Sequence, residues 1–160
     1  MFTKHFESVF TNCLKSKSPF RPDGALIATV GLDPDFLLTI WDWREERIVL
    51  RNKAFSQDIF RVLWSADLPG ILTTAGTGHI KFWKMANTFT GLKLQGNIGK
   101  FGKVELSDIE GFVTMPDGKV LSGSEWGNLI VWEGDLIKVQ ICRKGQRPCH
   151  TGLIMQIIID

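Results

Sequence analysis

Tyrosine is missing altogether from a 160-residue chain that holds six tryptophans and eleven phenylalanines, and the sequence offers no physical reason for it. The other shortages exclude more. Net charge is only +2, too little to argue for nucleic acid or an anionic membrane surface as partner. No apolar run approaches the roughly 20 residues of a membrane-spanning helix. Met1-Phe2-Thr3-Lys4-His5-Phe6 lacks the apolar core and small-residue cleavage site of a secretory leader. The three cysteines, Cys13, Cys142 and Cys149, cannot all pair within one chain. Cys142 with Cys149-His150 suggests a metal corner, but the spacing matches no zinc pattern. They read as reduced thiols of an intracellular protein.

Catalytic chemistry is equally scarce. Ser122 and Ser124 flank Gly123, yet no Gly-x-Ser-x-Gly elbow forms and no histidine stands at a motif position. Gly91, Gly96, Gly99 and Gly102, with Lys100 and Lys103, raise the question of a phosphate loop. The Walker pattern needs glycine where Leu94 stands and Ser or Thr where Phe101 stands. The spacing also fails a dinucleotide fingerprint. This stretch therefore reads as a long loop between repeats. Asp108, Glu110 and Glu125 fall at turns, where solvated or hydrogen-bonding roles are usual, and His79 is expected to be exposed in a tight turn. The expectation is a protein that is not an enzyme, with no catalytic, cofactor or metal residues.

What is present is a pattern repeated three times. Pro116-Asp117-Gly118 opens a turn, Lys119-Val120-Leu121-Ser122-Gly123 follows, a second turn at Trp126-Gly127-Asn128 comes next, and Leu129-Ile130-Val131-Trp132 closes it. Asp-Gly and Gly-Asn tolerate the positive φ that tight hairpins need, and the runs between are short and β-branched. Ile71-Leu72-Thr73-Thr74-Ala75-Gly76 and Ile80-Lys81-Phe82-Trp83 repeat it, as do Pro22 to Gly31 with Leu38-Thr39-Ile40-Trp41-Asp42. The closing tryptophans stand at 41, 83 and 132, intervals of 42 and 49 residues. A period near 40–45 residues ending in Trp-Asp is that of propeller blades.

The chain thus resembles the WD-repeat β-propellers, whose blades are four-stranded antiparallel sheets. The further strands are legible. Arg47–Arg51 reads as an outer strand and Ile59–Trp64 as the next inner one. Phe89–Leu94 reads as outer, Ile109–Val113 as inner, Leu136–Ile141 as outer, and His150–Ile159 as the start of another blade. The fold expected is all-β: a partial propeller of about three four-stranded blades plus the first strand of another. Residues 1–21 are expected to be a divergent N-terminal segment, with His5–Val9 as its candidate inner strand, and 22–160 the blades of an incomplete propeller. Each closing Trp is expected to pack between blades, where removing the ring costs roughly 3–5 kcal/mol. The usual polar tetrad of the family is incomplete. Thr77 and Trp126 replace the turn Asp, only His5 and His150 stand where the upstream His belongs, and Lys84 and Glu133 replace the Asp after Trp.

Asp58-Ile59-Phe60-Arg61-Val62, Gly78 to Met85, Thr88 to Gly96, Asp108-Ile109-Glu110-Gly111 and Leu121 to Asn128 narrow the likeness. They resemble echinoderm-microtubule-associated-protein-like propellers and their ciliary relatives. That resemblance implies a structural scaffold of the ciliary or flagellar axoneme, within the cytoplasmic cytoskeleton, tethering inner-arm dynein motor heads to the doublet microtubule. Axonemal dynein and tether subunits would be the protein partners, with no nucleic acid and no membrane. Tubulin enters under the alternative of a microtubule-binding propeller, through Lys81, Lys84, Lys100 and Lys103; a generic WD-repeat scaffold is the blander alternative. Three copies and one strand fall short of the four or so blades of a closed propeller, so further blades of a longer chain are expected to complete it.

Overall fold

The computed structural model describes residues 20–159. Turn chemistry sets the first sheet: Gly24, at φ 69°, donates its N–H to Arg21 O, while Asp23 Oδ1 accepts from Ala25 N–H. Strand β1 (Leu26–Val30) leaves this turn, β2 (Leu37–Asp42) returns, and β3 (Arg47–Lys53) runs along the outside. Their order is β1-β2-β3, all antiparallel, with Ala28 opposite Ile40 and Ile40 opposite Leu50. The inner strand expected at His5–Val9 lies outside the described residues, as does most of the 1–21 segment. Phe20 already pairs with Ile27 across an antiparallel bridge.

The second sheet holds β4 (Ile59–Trp64), β5 (Ile71–Gly76), β6 (His79–Thr88) and β7 (Gly91–Ile98), in that order. The third holds β8 (Phe112–Thr114), β9 (Val120–Gly123), β10 (Leu129–Glu133) and β11 (Leu136–Ile141). In all three sheets sequence neighbours pair, the meander expected of propeller blades.

Two apolar layers fill the spaces between the sheets. Leu26, Ala28, Leu38 and Ile40 of the first meet Val62, Trp64, Leu72, Trp83 and Leu94 of the second. Ala75 and Ile80 of the second meet Phe112, Val120, Ile130 and Trp132 of the third, with Ile109 and Phe101 from the connection between them. Trp83 and Trp132 are buried, at 2% and 0% exposure, and pack between blades as expected; Trp41 is half-buried.

Four expectations need correction. The glycine stretch is not one long loop: β6 runs ten residues and β7 eight, so 91–98 is strand and only 99–111 connects. Gly96 sits inside β7 because the ring of Trp83 lies where a Cβ would project, 2.5 Å away. Phe89 belongs to the β6–β7 turn rather than to an outer strand, and the inner strand of the third sheet begins only at Phe112. Residues 150–159 form no strand. A strand needs a hydrogen-bonded ladder, and this segment instead makes single bonds to the connection and turn that flank the third sheet, such as Gly111 N–H to Ile154 O at 3.0 Å and His150 N–H to Gly127 O at 3.0 Å.

Candidate functional site

One hydrogen bond recurs in every sheet. Trp41 Nε1–H donates to Thr29 Oγ1, Trp83 Nε1–H to Thr74 Oγ1, and Trp132 Nε1–H to Ser122 Oγ, each at 2.9 Å. Thr74 and Ser122 are buried at 0% exposure, so these indoles and hydroxyls have no water to fall back on. Half of the polar arrangement that the sequence shows as incomplete is therefore kept, by a hydroxyl nine to twelve residues before each closing Trp. That spacing was the available signal.

The connections between sheets supply the other half. Ala54 N–H bonds to Phe36 O at 2.8 Å, so the segment after β3 grips the β1–β2 turn. Gly78 N–H donates to Asp108 Oδ1 at 2.8 Å, and Asp108 N–H to Glu125 Oε1 at 3.1 Å. Glu125 N–H in turn donates to Ser107 Oγ at 2.8 Å, and Ser107 is buried. This chain of bonds ties the β5–β6 turn to the β9–β10 turn through the 99–111 connection, replacing the missing turn aspartates. Asn52 Nδ2–H adds a bond from β3 to Leu94 O on β7.

His79 is not exposed, contrary to the sequence reading. It is 1% exposed, stacks on Phe55 at 3.8 Å and 21°, and places Nδ1 3.0 Å from Thr77 O. A carbonyl accepts, so Nδ1 carries the hydrogen. Burial, first of all, pushes the imidazole pKa below its ordinary value of 6.5, and Lys81 adds to that. Next to it, Lys81 donates from Nζ to Ala54 O at 3.0 Å and lies 4.1 Å from the Trp83 ring centroid, a cation–π arrangement. Lys81 is thus half-buried structure, and Lys100 pairs with Asp135 at 2.9 Å. Of the four lysines that a tubulin contact would use, only Lys84 and Lys103 are exposed and without an ion pair among the described residues.

One face of the third sheet lacks a neighbouring sheet among the described residues. Val113, Leu121, Val131 and Val139 stand opposite one another across the four strands of the third sheet. Leu121 and Val131 directly precede Ser122 and Trp132, as Ala28 and Ile40 precede Thr29 and Trp41 in the first sheet. Ala28 and Ile40 are fully buried by the second sheet, whereas Leu121 and Val131 are half-buried and Val139 is 47% exposed. Among the described residues, no group of three or more metal-ligating side chains comes together, and Cys142 and Cys149 are free thiols.

Three consecutive antiparallel meanders packed face to face, each with a closing Trp bonded to a hydroxyl on the neighbouring strand, define a partial β-propeller. The fold is that of a partial WD-repeat β-propeller. More particularly, the chain is 61% identical over 141 residues to cilia- and flagella-associated protein 44 of Mus musculus, covering 88% of this chain and 8% of that one. It is 62% identical over 137 residues to the protein of the same name from Chlamydomonas reinhardtii, covering 86% and 8%. Echinoderm microtubule-associated protein-like 2 of Rattus norvegicus is 32% identical over 110 residues, covering 68% and 16%. The chain therefore spans less than a tenth of the length of the first two relatives. No family model matches it.

Proposed function

We propose that this chain is a non-catalytic scaffold of the cilium or flagellum. The single observation behind this reading is the identity above 60% with cilia- and flagella-associated protein 44 from two distant organisms, over most of this chain. Stitched sheets give a stiff body with turns at both rims, suited to holding protein partners at fixed geometry. Within the axoneme it holds inner-arm dynein heads to the doublet microtubule. Its third sheet, with the Val113-Leu121-Val131-Val139 row, takes a further blade of the same propeller. Fold alone does not supply function, so the test is cellular. Tagged protein in ciliated cells is expected in the axoneme and in dynein-containing axonemal extracts. A diffuse cytoplasmic signal with no axonemal co-purification would sink the ciliary reading.

A second reading, direct microtubule binding, is favoured by the similarity to echinoderm microtubule-associated protein-like 2. Co-sedimentation with microtubules at low and high salt decides between them. No pelleting at low salt leaves only the scaffold.

A further inference from the structure

The chain's small net charge hides a local excess. From Leu136 to Ile159 there is no Asp or Glu, while Lys138, Arg143, Lys144 and Arg147 all fall in that stretch. Lys138 is paired with Glu133 at 2.8 Å. The other three crowd onto one hairpin, Cys142-Arg143-Lys144-Gly145-Gln146-Arg147-Pro148-Cys149, between β11 and the 150–156 segment. None of the three takes part in an ion pair among the described residues, and residues 142–147 are all exposed.

The hairpin is held in shape without them. Arg143 N–H donates to Arg147 O at 2.7 Å, and the two residues form an antiparallel bridge. Gly145 and Gln146 turn the corner at φ 79° and 58°. At the base, Cys149 Sγ–H donates to Ile141 O at 3.4 Å. The guanidinium groups are themselves tethered: Arg143 Nε–H donates to Pro148 O at 2.7 Å, and Arg147 Nε–H to Lys144 O at 3.3 Å. Those bonds orient both guanidinium planes and leave the Nη donors free. Cations fixed in advance lose less freedom on binding, and the guanidinium fork fits a carboxylate.

We propose that the 142–149 hairpin docks an acidic segment of a protein partner, with carboxylates clustered within a few residues to meet Arg143, Lys144 and Arg147. Nucleic acid is the poorer match, because the hairpin offers no aromatic ring for a base and only three cations for a phosphate backbone. The proposal stands on charge and geometry alone and does not depend on the ciliary reading.

Fluorescence anisotropy of the full chain with a labelled decaglutamate peptide tests it. The Arg143→Ala, Lys144→Ala, Arg147→Ala triple variant is expected to bind at least tenfold more weakly than the parent at low salt. A control triple at exposed Lys84, Lys93 and Lys103 is expected to stay within twofold. Arg143→Lys with Arg147→Lys, which keeps the charge and loses the fork, is expected to fall between them, and it reports even where the alanine variant melts abnormally. Unchanged binding by the alanine triple, or an equal loss in the control, overturns the proposal. So does displacement of the peptide by oligouridylate at lower concentration than by unlabelled peptide.

Discussion

Gly78 gives its backbone N–H to Asp108 Oδ1 at 2.8 Å, so a turn of the second sheet is held by the connection leading into the third. Asp108→Ala leaves that half-buried donor without its acceptor and is expected to cost about 1–2 kcal/mol. Asp108→Asn keeps an oxygen in place and should cost less than half as much. Urea unfolding of both variants checks this. Equal losses would mean that the carboxylate charge, rather than the bond, is what matters.

The three tryptophan bonds predict an order. Thr74→Val and Ser122→Ala each leave a buried indole N–H unpaired, with an expected loss of about 1–3 kcal/mol. Thr29→Val should cost under about 1 kcal/mol, because half-buried Trp41 still reaches water. Chemical denaturation of the three variants side by side reads out the ranking. A first-sheet loss as large as the other two would contradict it.

Gly96 is a glycine whose replacement should be felt directly in the packing of a closing Trp. A Cβ there would stand 2.5 Å from the Trp83 ring and 2.8 Å from Lys81 Cε. Lys81 can swing aside, but the ring is locked by Thr74 and the surrounding core. Gly96→Ala is expected to destabilise by about 1–3 kcal/mol through overpacking. Near-UV circular dichroism should show the disturbance at tryptophan. Gly91→Ala offers a contrast, since no atom lies within 4 Å of its Cβ position and only its φ of 104° opposes the change.

His79 should make stability depend on pH. Its folded-state pKa lies below the ordinary 6.5, mainly through burial, while Lys81 pushes it down and Thr77 O and Asp108 oppose that. The unfolded chain therefore binds the proton first as pH falls. Stability is full above about pH 6.5 and declines below it, down to the folded-state value. His79→Gln should flatten this slope between pH 7 and 5.5, measured as melting temperature against pH. An unchanged slope would place the titration elsewhere.

Much of this architecture was legible because it is local. Asp-Gly and Gly-Asn turns, short β-branched runs and a closing Trp act within a dozen residues, so β1, β2, β5, β6, β9 and β10 fall where those signals stand. Boundaries slipped where signals were weak. Thr88-Phe89-Thr90-Gly91 reads equally as a strand or as the turn it is, and Gly96 reads as a breaker until Trp83 is seen to occupy the space beside it. The recurring hydroxyl before each Trp was visible but carried no weight, because nothing in a linear reading says that Thr74 and Trp83 face each other.

The sequence by itself determined the repeat, the all-β class, the turns and the packing role of the tryptophans, because hairpin chemistry and side-chain alternation are written within each copy. Only the tertiary structure decided that His79 is buried against Phe55, that Lys81 and Lys100 are already engaged, and that Asp108 and Glu125 stitch neighbouring sheets. It also decided which cations stand free, leaving Arg143, Lys144 and Arg147 together on one turn. Those outcomes depend on contacts between residues some 15 to 35 positions apart, such as Phe55 with His79 and Gly78 with Asp108. Burial and pairing belong to the packed sheets, and no single strand contains them.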